Sequence, residues 1–263
     1  FGVRGFVAAY DAQTGTQAGT QAGTQPAARR APLREVPGAM SADDLLALAS
    51  VVTGRDEPTW HPDGRSLAFL GAVGGAGGVW QLPLWSPKGD RLAYVSSKGG
   101  TPELWLHTPG GGEDRPLTAL GARVGSYHWS PDGARIAFAG DRYGSMDLYV
   151  VTVATGAVVR LTSDPRFEVY PTWTPDGREI VYDRLDDRWV DHEVLAVAAD
   201  GSAPPRTIVV DRDFFDYRGG SAFGYAHVSP DGKQVLFRSQ RSGWLNYWTV
   251  PIGGGTPRPV APQ

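Results

Sequence analysis

The residues best suited by type to do chemistry lie between Asp183 and Tyr217, the most charged stretch of this 263-residue chain. Carboxylates recur there at Asp183, Asp186, Asp187, Asp191, Glu193, Asp200, Asp211, Asp213 and Asp216, interleaved with Arg184, Arg188, Arg206 and Arg212. Paired carboxylates can hold an ammonium group through charge-assisted hydrogen bonds. Asp186, Asp187, Arg188, Asp191, Glu193, Asp213, Asp216 and Tyr217 are therefore the candidates for a substrate-binding or interface site. The competing reading is a set of solvated loop charges neutralised by neighbouring arginines, since exposed pairs of that kind are common and weak.

Other chemistries find less support. His192 sits in Asp191-His192-Glu193, but the five histidines are scattered at 61, 107, 128, 192 and 227, and a metal site needs further ligands at a workable spacing. Asp211-Arg212-Asp213-Phe214-Phe215-Asp216 lacks the glycine and the closing glutamate of an EF-hand calcium loop. With no cysteine, thiolate and disulfide chemistry are excluded. A serine nucleophile elbow needs Gly-x-Ser-x-Gly. Gly219-Gly220-Ser221-Ala222-Phe223 misses the last glycine, Gly224 falls one place late, and Ser126 and Ser145 lack the flanking pattern. No catalytic residue, metal or cofactor is assigned.

The elements that position these residues are announced by a repeat. Trp60-His61-Pro62-Asp63-Gly64, Trp85-Ser86-Pro87-Lys88-Gly89, Trp129-Ser130-Pro131-Asp132-Gly133, Trp173-Thr174-Pro175-Asp176-Gly177 and Val228-Ser229-Pro230-Asp231-Gly232 are copies of one motif. An apolar beat follows each: Leu67/Phe69, Leu92/Tyr94, Ile136/Phe138, Ile180/Tyr182 and Val235/Phe237. Asp-Gly between two β-prone runs is a hairpin signal, because glycine accepts a positive φ. Trp80, Trp105, Tyr149 and Trp248 mark a further strand in four units, and Leu117-Thr118 and Leu161-Thr162 end a short last one. Four antiparallel strands per unit result. The motif starts are separated by 25, 44, 44 and 55 residues, and propeller blades repeat every ~40–45 residues. The expectation is an all-β protein: a β-propeller of four-stranded antiparallel blades with about five repeats over residues 41–263. The first gap is too short for a whole blade. That blade is either degenerate or completed by another part of the chain, and whether the ring is complete stays open. The motif tryptophans are read as blade core and the motif aspartates as turn residues bonding nearby amides.

Composition agrees. Nine Trp, ten Tyr and nine Phe suit stacked sheets, and 35 Gly with 21 Pro suit a chain full of turns. A net charge of −3 gives no basic field for nucleic acid. No apolar run approaches the ~18 residues that span a bilayer. Thr14–Gln25 is a low-complexity tract, so residues 1–40 read as linker or tail, and Phe1–Tyr10 lacks a signal-peptide layout. Ala42–Val52, with Ser41 as N-cap, is the one helix candidate.

The repeat resembles the propeller repeat shared by TolB-like proteins and by the N-terminal domain of the prolyl oligopeptidase family of serine peptidases. Arg241-Ser242-Gly243-Trp244-Leu245-Asn246-Tyr247-Trp248 with Gly253-Gly254-Gly255-Thr256-Pro257-Arg258, and Ser97-Lys98-Gly99-Gly100-Thr101-Pro102-Glu103-Leu104-Trp105-Leu106, are similar to runs of the peptidase group. Ser41–Val52 resembles its lead-in helix. The resemblance implies a non-catalytic domain that caps an α/β-hydrolase domain carrying a Ser-Asp-His triad and admits only small peptides. Some dipeptidyl peptidases of the group hold a peptide's amino terminus with propeller carboxylates, a motif not matched residue by residue here. The hydrolase residues are absent from this sequence. The implied partners are that hydrolase domain, expected from the same gene product, and peptides. The alternative is a free-standing TolB-like propeller that binds proteins on one face. A propeller enzyme is a third reading, which would need carboxylates or a metal at a central channel.

Overall fold

A computed structural model of the chain describes residues 5–11, 16–18, 59–63, 66–72, 83–97, 99–109, 111, 114–186, 191–212, 226–243 and 245–260. Among them twenty strands build five four-stranded antiparallel sheets. The chain divides into two compact units, Phe1–Ala119 and Leu120–Gln263. The Ser41–Val52 helix candidate lies outside the described residues.

In the first unit, β1 (Gly5–Asp11), β2 (Thr16–Ala18), β3 (Thr59–Trp60) and β4 (Ser66–Ala72) pair in the order β3-β4-β1-β2. Among the described residues the first repeat supplies its two leading strands, and Gly5–Asp11 and Thr16–Ala18 supply the other two; the further strand expected at Trp80 lies outside the described residues. Ala9 stands opposite Ala68 on one side and Ala18 on the other. These strands lie within residues 1–40, read from the sequence as linker; the β-prone run Phe6-Val7-Ala8-Ala9-Tyr10 pairs along the open edge of β4. The second sheet runs in simple order through β5 (Leu84–Trp85), β6 (Leu92–Ser96), β7 (Glu103–His107) and β8 (Arg115–Pro116).

The second unit stacks three meanders. The third sheet comprises β9 (Val124–Trp129), β10 (Arg135–Gly140), β11 (Asp147–Thr152) and β12 (Val158–Arg160). The fourth comprises β13 (Phe167–Trp173), β14 (Glu179–Leu185), β15 (His192–Ala198) and β16 (Arg206–Asp211). The fifth comprises β17 (His227–Val228), β18 (Gln234–Ser239), β19 (Asn246–Pro251) and β20 (Arg258–Pro259). Small residues on one sheet receive large ones from the next. Ala137, Ala139, Leu148 and Val150 of the third sheet pack on Trp173, Ile180, Tyr182, Leu195 and Val197 of the fourth. The opposite face of the fourth sheet, with Val181, Val194 and Ala196, packs on Val235, Phe237 and Val250 of the fifth. With both faces covered, Ile180-Val181-Tyr182 are all buried, so β14 reads as an apolar run and not as an alternation.

The motif is a self-contained turn. The Ser130 hydroxyl donates to Asp132 Oδ1 at 2.6 Å and accepts the Arg135 N–H at 2.9 Å. Asp132 accepts the Ala134 N–H, and Gly133 N–H closes on the Ser130 carbonyl with φ at 70°. Thr174/Asp176 and Ser229/Asp231 repeat the pattern. Where Lys88 replaces the aspartate, Ser86 donates instead to Asp90 at 2.6 Å. The Leu-Thr ending has a purpose of its own: Thr118 and Thr162 hydroxyls accept the buried N–H groups of Leu104 and Leu148. Adjacent sheets are also clamped through polar groups. Arg135 lies over the Trp173 ring at 4.7 Å and donates to the Gly177 carbonyl at 2.9 Å.

Candidate functional site

The motif turns occupy one end of the fourth sheet, and the charges collect at the other. β13 begins there, β14 ends, β15 begins and β16 ends, so register alone brings together residues far apart in sequence. Glu168 stands opposite Arg184, Arg184 opposite Glu193, and His192 opposite Asp211. A bulge between Val169 and Thr172 inserts one residue into β13. One extra residue reverses which face the preceding side chains occupy, so Glu168 shares a face with Trp173 and meets Tyr182. Tyr170 at the bulge takes a left-handed backbone (φ 56°), and its N–H donates to Ser126 Oγ of β9 at 2.7 Å.

Two arginines and two carboxylates form the outer layer of this end. Arg184 donates to Glu193 through Nε, at 2.8 Å, and through Nη2, and its Nη1 reaches Asp164 at 3.0 Å. Arg166 grips Asp164 in a fork, both contacts at 2.9 Å, and reaches Glu193 at 3.3 Å. The Arg166 fork, with Arg184 beside it, holds the Asp164 carboxyl down at about 2. Beneath lies Glu168, fully buried, taking a hydrogen bond from the Tyr182 hydroxyl at 3.2 Å. Burial pushes its carboxyl up to about 7 despite hydrogen bonds from Thr162 and Tyr182.

A second, deeper set ties the strands together. His192 and Asp183, each 1 % exposed, share a 2.7 Å hydrogen bond. Burial raises the Asp183 carboxyl, with His192 and the Ala226 N–H opposing. Arg241, on the turn between β18 and β19, lies over Phe237 and Trp248 and donates to Asp211 at 3.3 Å. The Arg-Ser-Gly run thus fastens the fifth sheet to the charged end of the fourth.

Of the candidates chosen from sequence, Asp187, Arg188, Asp213, Asp216 and Tyr217 lie outside the described residues. The other three are brought to one end but take different parts. Glu193 belongs to the arginine network. Asp186 and Asp191 bond to each other where β14 ends and β15 begins, the Asp191 N–H donating to Asp186 Oδ1 at 3.1 Å. Asp191 also faces Arg212 at 3.9 Å. Sequence reasoning missed Asp164, Arg166 and Glu168, which precede the charged stretch by about fifteen to twenty residues. The available signal was strand pairing: a hairpin centred on Asp176-Gly177 places Glu168 beside Arg184.

The geometry provides a half-buried lattice of paired charges whose positions are fixed by reciprocal hydrogen bonds. Among the described residues no group of three or more His, Asp or Glu side chains is arranged to hold a metal ion. No helix among them is long and apolar enough to cross a membrane.

Known proteins agree with this architecture. No curated protein sequence matches the chain. A protein of Agrobacterium tumefaciens provisionally assigned as TolB is similar in structure, with a TM-score of 0.58 and 20% identity over 99% of this chain and 90% of that one. TolB from Acinetobacter baumannii gives a TM-score of 0.56 at 19% identity, over 78% of this chain and 54% of that one. A puromycin-hydrolyzing peptidase of Mycobacterium tuberculosis also gives 0.56, at 18% identity, over 82% of this chain; the chain spans only 39% of that peptidase. At such identities these likenesses speak for the fold. The profile of the TolB beta propeller domain matches residues 79–214, more than half of the sequence, and with the sheets described above it identifies the chain as a member of the TolB beta propeller domain family.

Proposed function

We propose that the chain is the non-catalytic propeller module of a serine peptidase of the prolyl oligopeptidase family, docking an α/β-hydrolase domain and limiting which peptides reach it. The charged end of the fourth sheet carries this reading. Arg166 and Arg184 fix Asp164 and Glu193 in place, and a surface whose polar groups are already oriented loses little entropy on docking. Asp186, Asp191 and Arg212 lie beside this lattice, where a partner or a peptide would meet them. The likeness to a puromycin-hydrolyzing peptidase over a 39% share of its length supports a module of a larger enzyme. Titration of the purified chain with the hydrolase domain of the same gene product tests this. A one-to-one complex weakened by Arg212→Glu is expected, and the absence of any complex would overturn the proposal.

One observation favours a second reading. The likeness to the Agrobacterium tumefaciens protein extends over 90% of that chain. A free-standing TolB-like scaffold would use the same charged end to bind a protein partner, and would bind without any hydrolase domain.

A further inference from the structure

Equivalent positions in the fourth and fifth sheets differ by one substitution with a chemical consequence. In the fourth sheet, Val181, Ala196 and Arg206 stand in one cross-strand row, and Glu179 lies two residues before Val181. Arg206 grips Glu179 with both arms of its fork, at 3.1 and 2.7 Å, and gives its remaining arm to the Ile252 carbonyl at 2.7 Å. In the fifth sheet the same row is Leu236, Thr249 and Arg258, and the position of Glu179 is taken by Gln234. The carboxylate has become an amide. An amide offers one neutral oxygen where the fork requires two charged ones. Among the described residues the Arg258 guanidinium has neither a hydrogen-bond nor an ion-pair partner.

Space has opened where the pair would close. Gln234, Thr249, Pro251, Thr256 and Arg258 line a pocket of about 300 Å³. Its polar side chains are a guanidinium, an amide and two hydroxyls, all able to donate, and among the described residues no acid lines it. Such a set suits an anion with two oxygens in one plane.

We infer that this pocket is a carboxylate-binding site, taking an acidic side chain or the terminal carboxylate of a peptide or protein segment in the place Glu179 holds in the fourth sheet. Arg258 supplies the fork, while Gln234, Thr249 and Thr256 supply supporting donors. The substitution that fills the site from within is Gln234→Glu, which recreates the Glu179–Arg206 pair; Arg258→Gln removes the fork. Both positions are exposed, so neither change disturbs a core residue.

The test is an NMR titration following the Arg258 Nε–H resonance. Three probes are used: N-acetylglutamate α-amide, N-acetylglycylglycine and the neutral N-acetylglutamine amide. A saturable shift with either or both carboxylates is expected, and the pattern tells side-chain from chain-terminal sources. The neutral amide should give none. Binding should be lost in Gln234→Glu, whose remaining amide spectrum stays that of the parent, and in Arg258→Gln followed through the backbone amides of Thr249 and Thr256. Equal shifts with the neutral probe, no saturation with either carboxylate, or undiminished binding by Gln234→Glu would each overturn the assignment.

Discussion

Glu168 makes the stability of the second unit depend on pH in a direction opposite to that of an ordinary paired carboxylate. Its carboxyl is raised from 4.5 to about 7, first by burial and further by Asp164, against hydrogen bonds from Thr162 and Tyr182 and the charge of Arg184. Below pH 4.5 both the folded and the unfolded chain carry the proton. As pH rises past 4.5 the unfolded chain releases it while the folded chain keeps it, so stability falls until the folded group also ionises near 7. A displacement of that size corresponds to roughly 3 kcal/mol. Glu168→Gln keeps the volume and an oxygen for the Tyr182 hydroxyl but cannot ionise. Its stability relative to the parent should therefore improve by roughly 3 kcal/mol between about pH 4 and about pH 8. Urea unfolding followed by tryptophan fluorescence, on both proteins across that range, measures the difference. Two curves that stay parallel would refute the reasoning, because the burial of Glu168 would then carry no ionisation cost.

Asp164 acts in the opposite sense. Its carboxyl is depressed from 3.8 to about 2, so its stabilisation is present above 3.8 and lost as pH falls toward 2. Asp164→Asn should flatten the acid limb of the stability curve by roughly 2 kcal/mol, read by unfolding at low pH. Asp90→Ala should destabilise the first unit, and Asp132→Ala the second, by about 1 kcal/mol each, while Lys88→Ala should change little; urea midpoints for the three variants decide this. Trp173→Ala removes a large ring packed between the third and fourth sheets and should cost about 3–5 kcal/mol by the same assay.

What could be read from the sequence was whatever is local. The Ser/Thr-Pro-Asp-Gly turn is legible because its donors and acceptors lie within five residues of one another, as in Ser130, Asp132 and Arg135. The same locality makes the repeat and the simple strand order of the second to fifth sheets readable. Non-local facts were not. The strands that β4 and its neighbour recruit to the first sheet depend on pairing between Gly5–Asp11 and Ser66–Ala72, across a long intervening segment. The charged end was half visible. Its acids between Asp183 and Glu193 stand out by composition, but Arg166 reaches Glu193 across 27 positions, and the inward turn of Glu168 rests on a bulge that no residue type announces. Lys88 argues against a shared catalytic role for the motif aspartates, and the Ser86–Asp90 contact supplies the reason: the position serves the turn, and a neighbouring carboxylate can serve it equally well.

The central claim, that this propeller serves a peptidase, meets its most direct test in the coding sequence beyond the Gln263 codon. The account predicts an open frame running into Gly-x-Ser-x-Gly, then an aspartate and a histidine, spaced as an α/β-hydrolase domain requires. A stop codon at that point would contradict it and leave the protein-binding scaffold as the function of this fold.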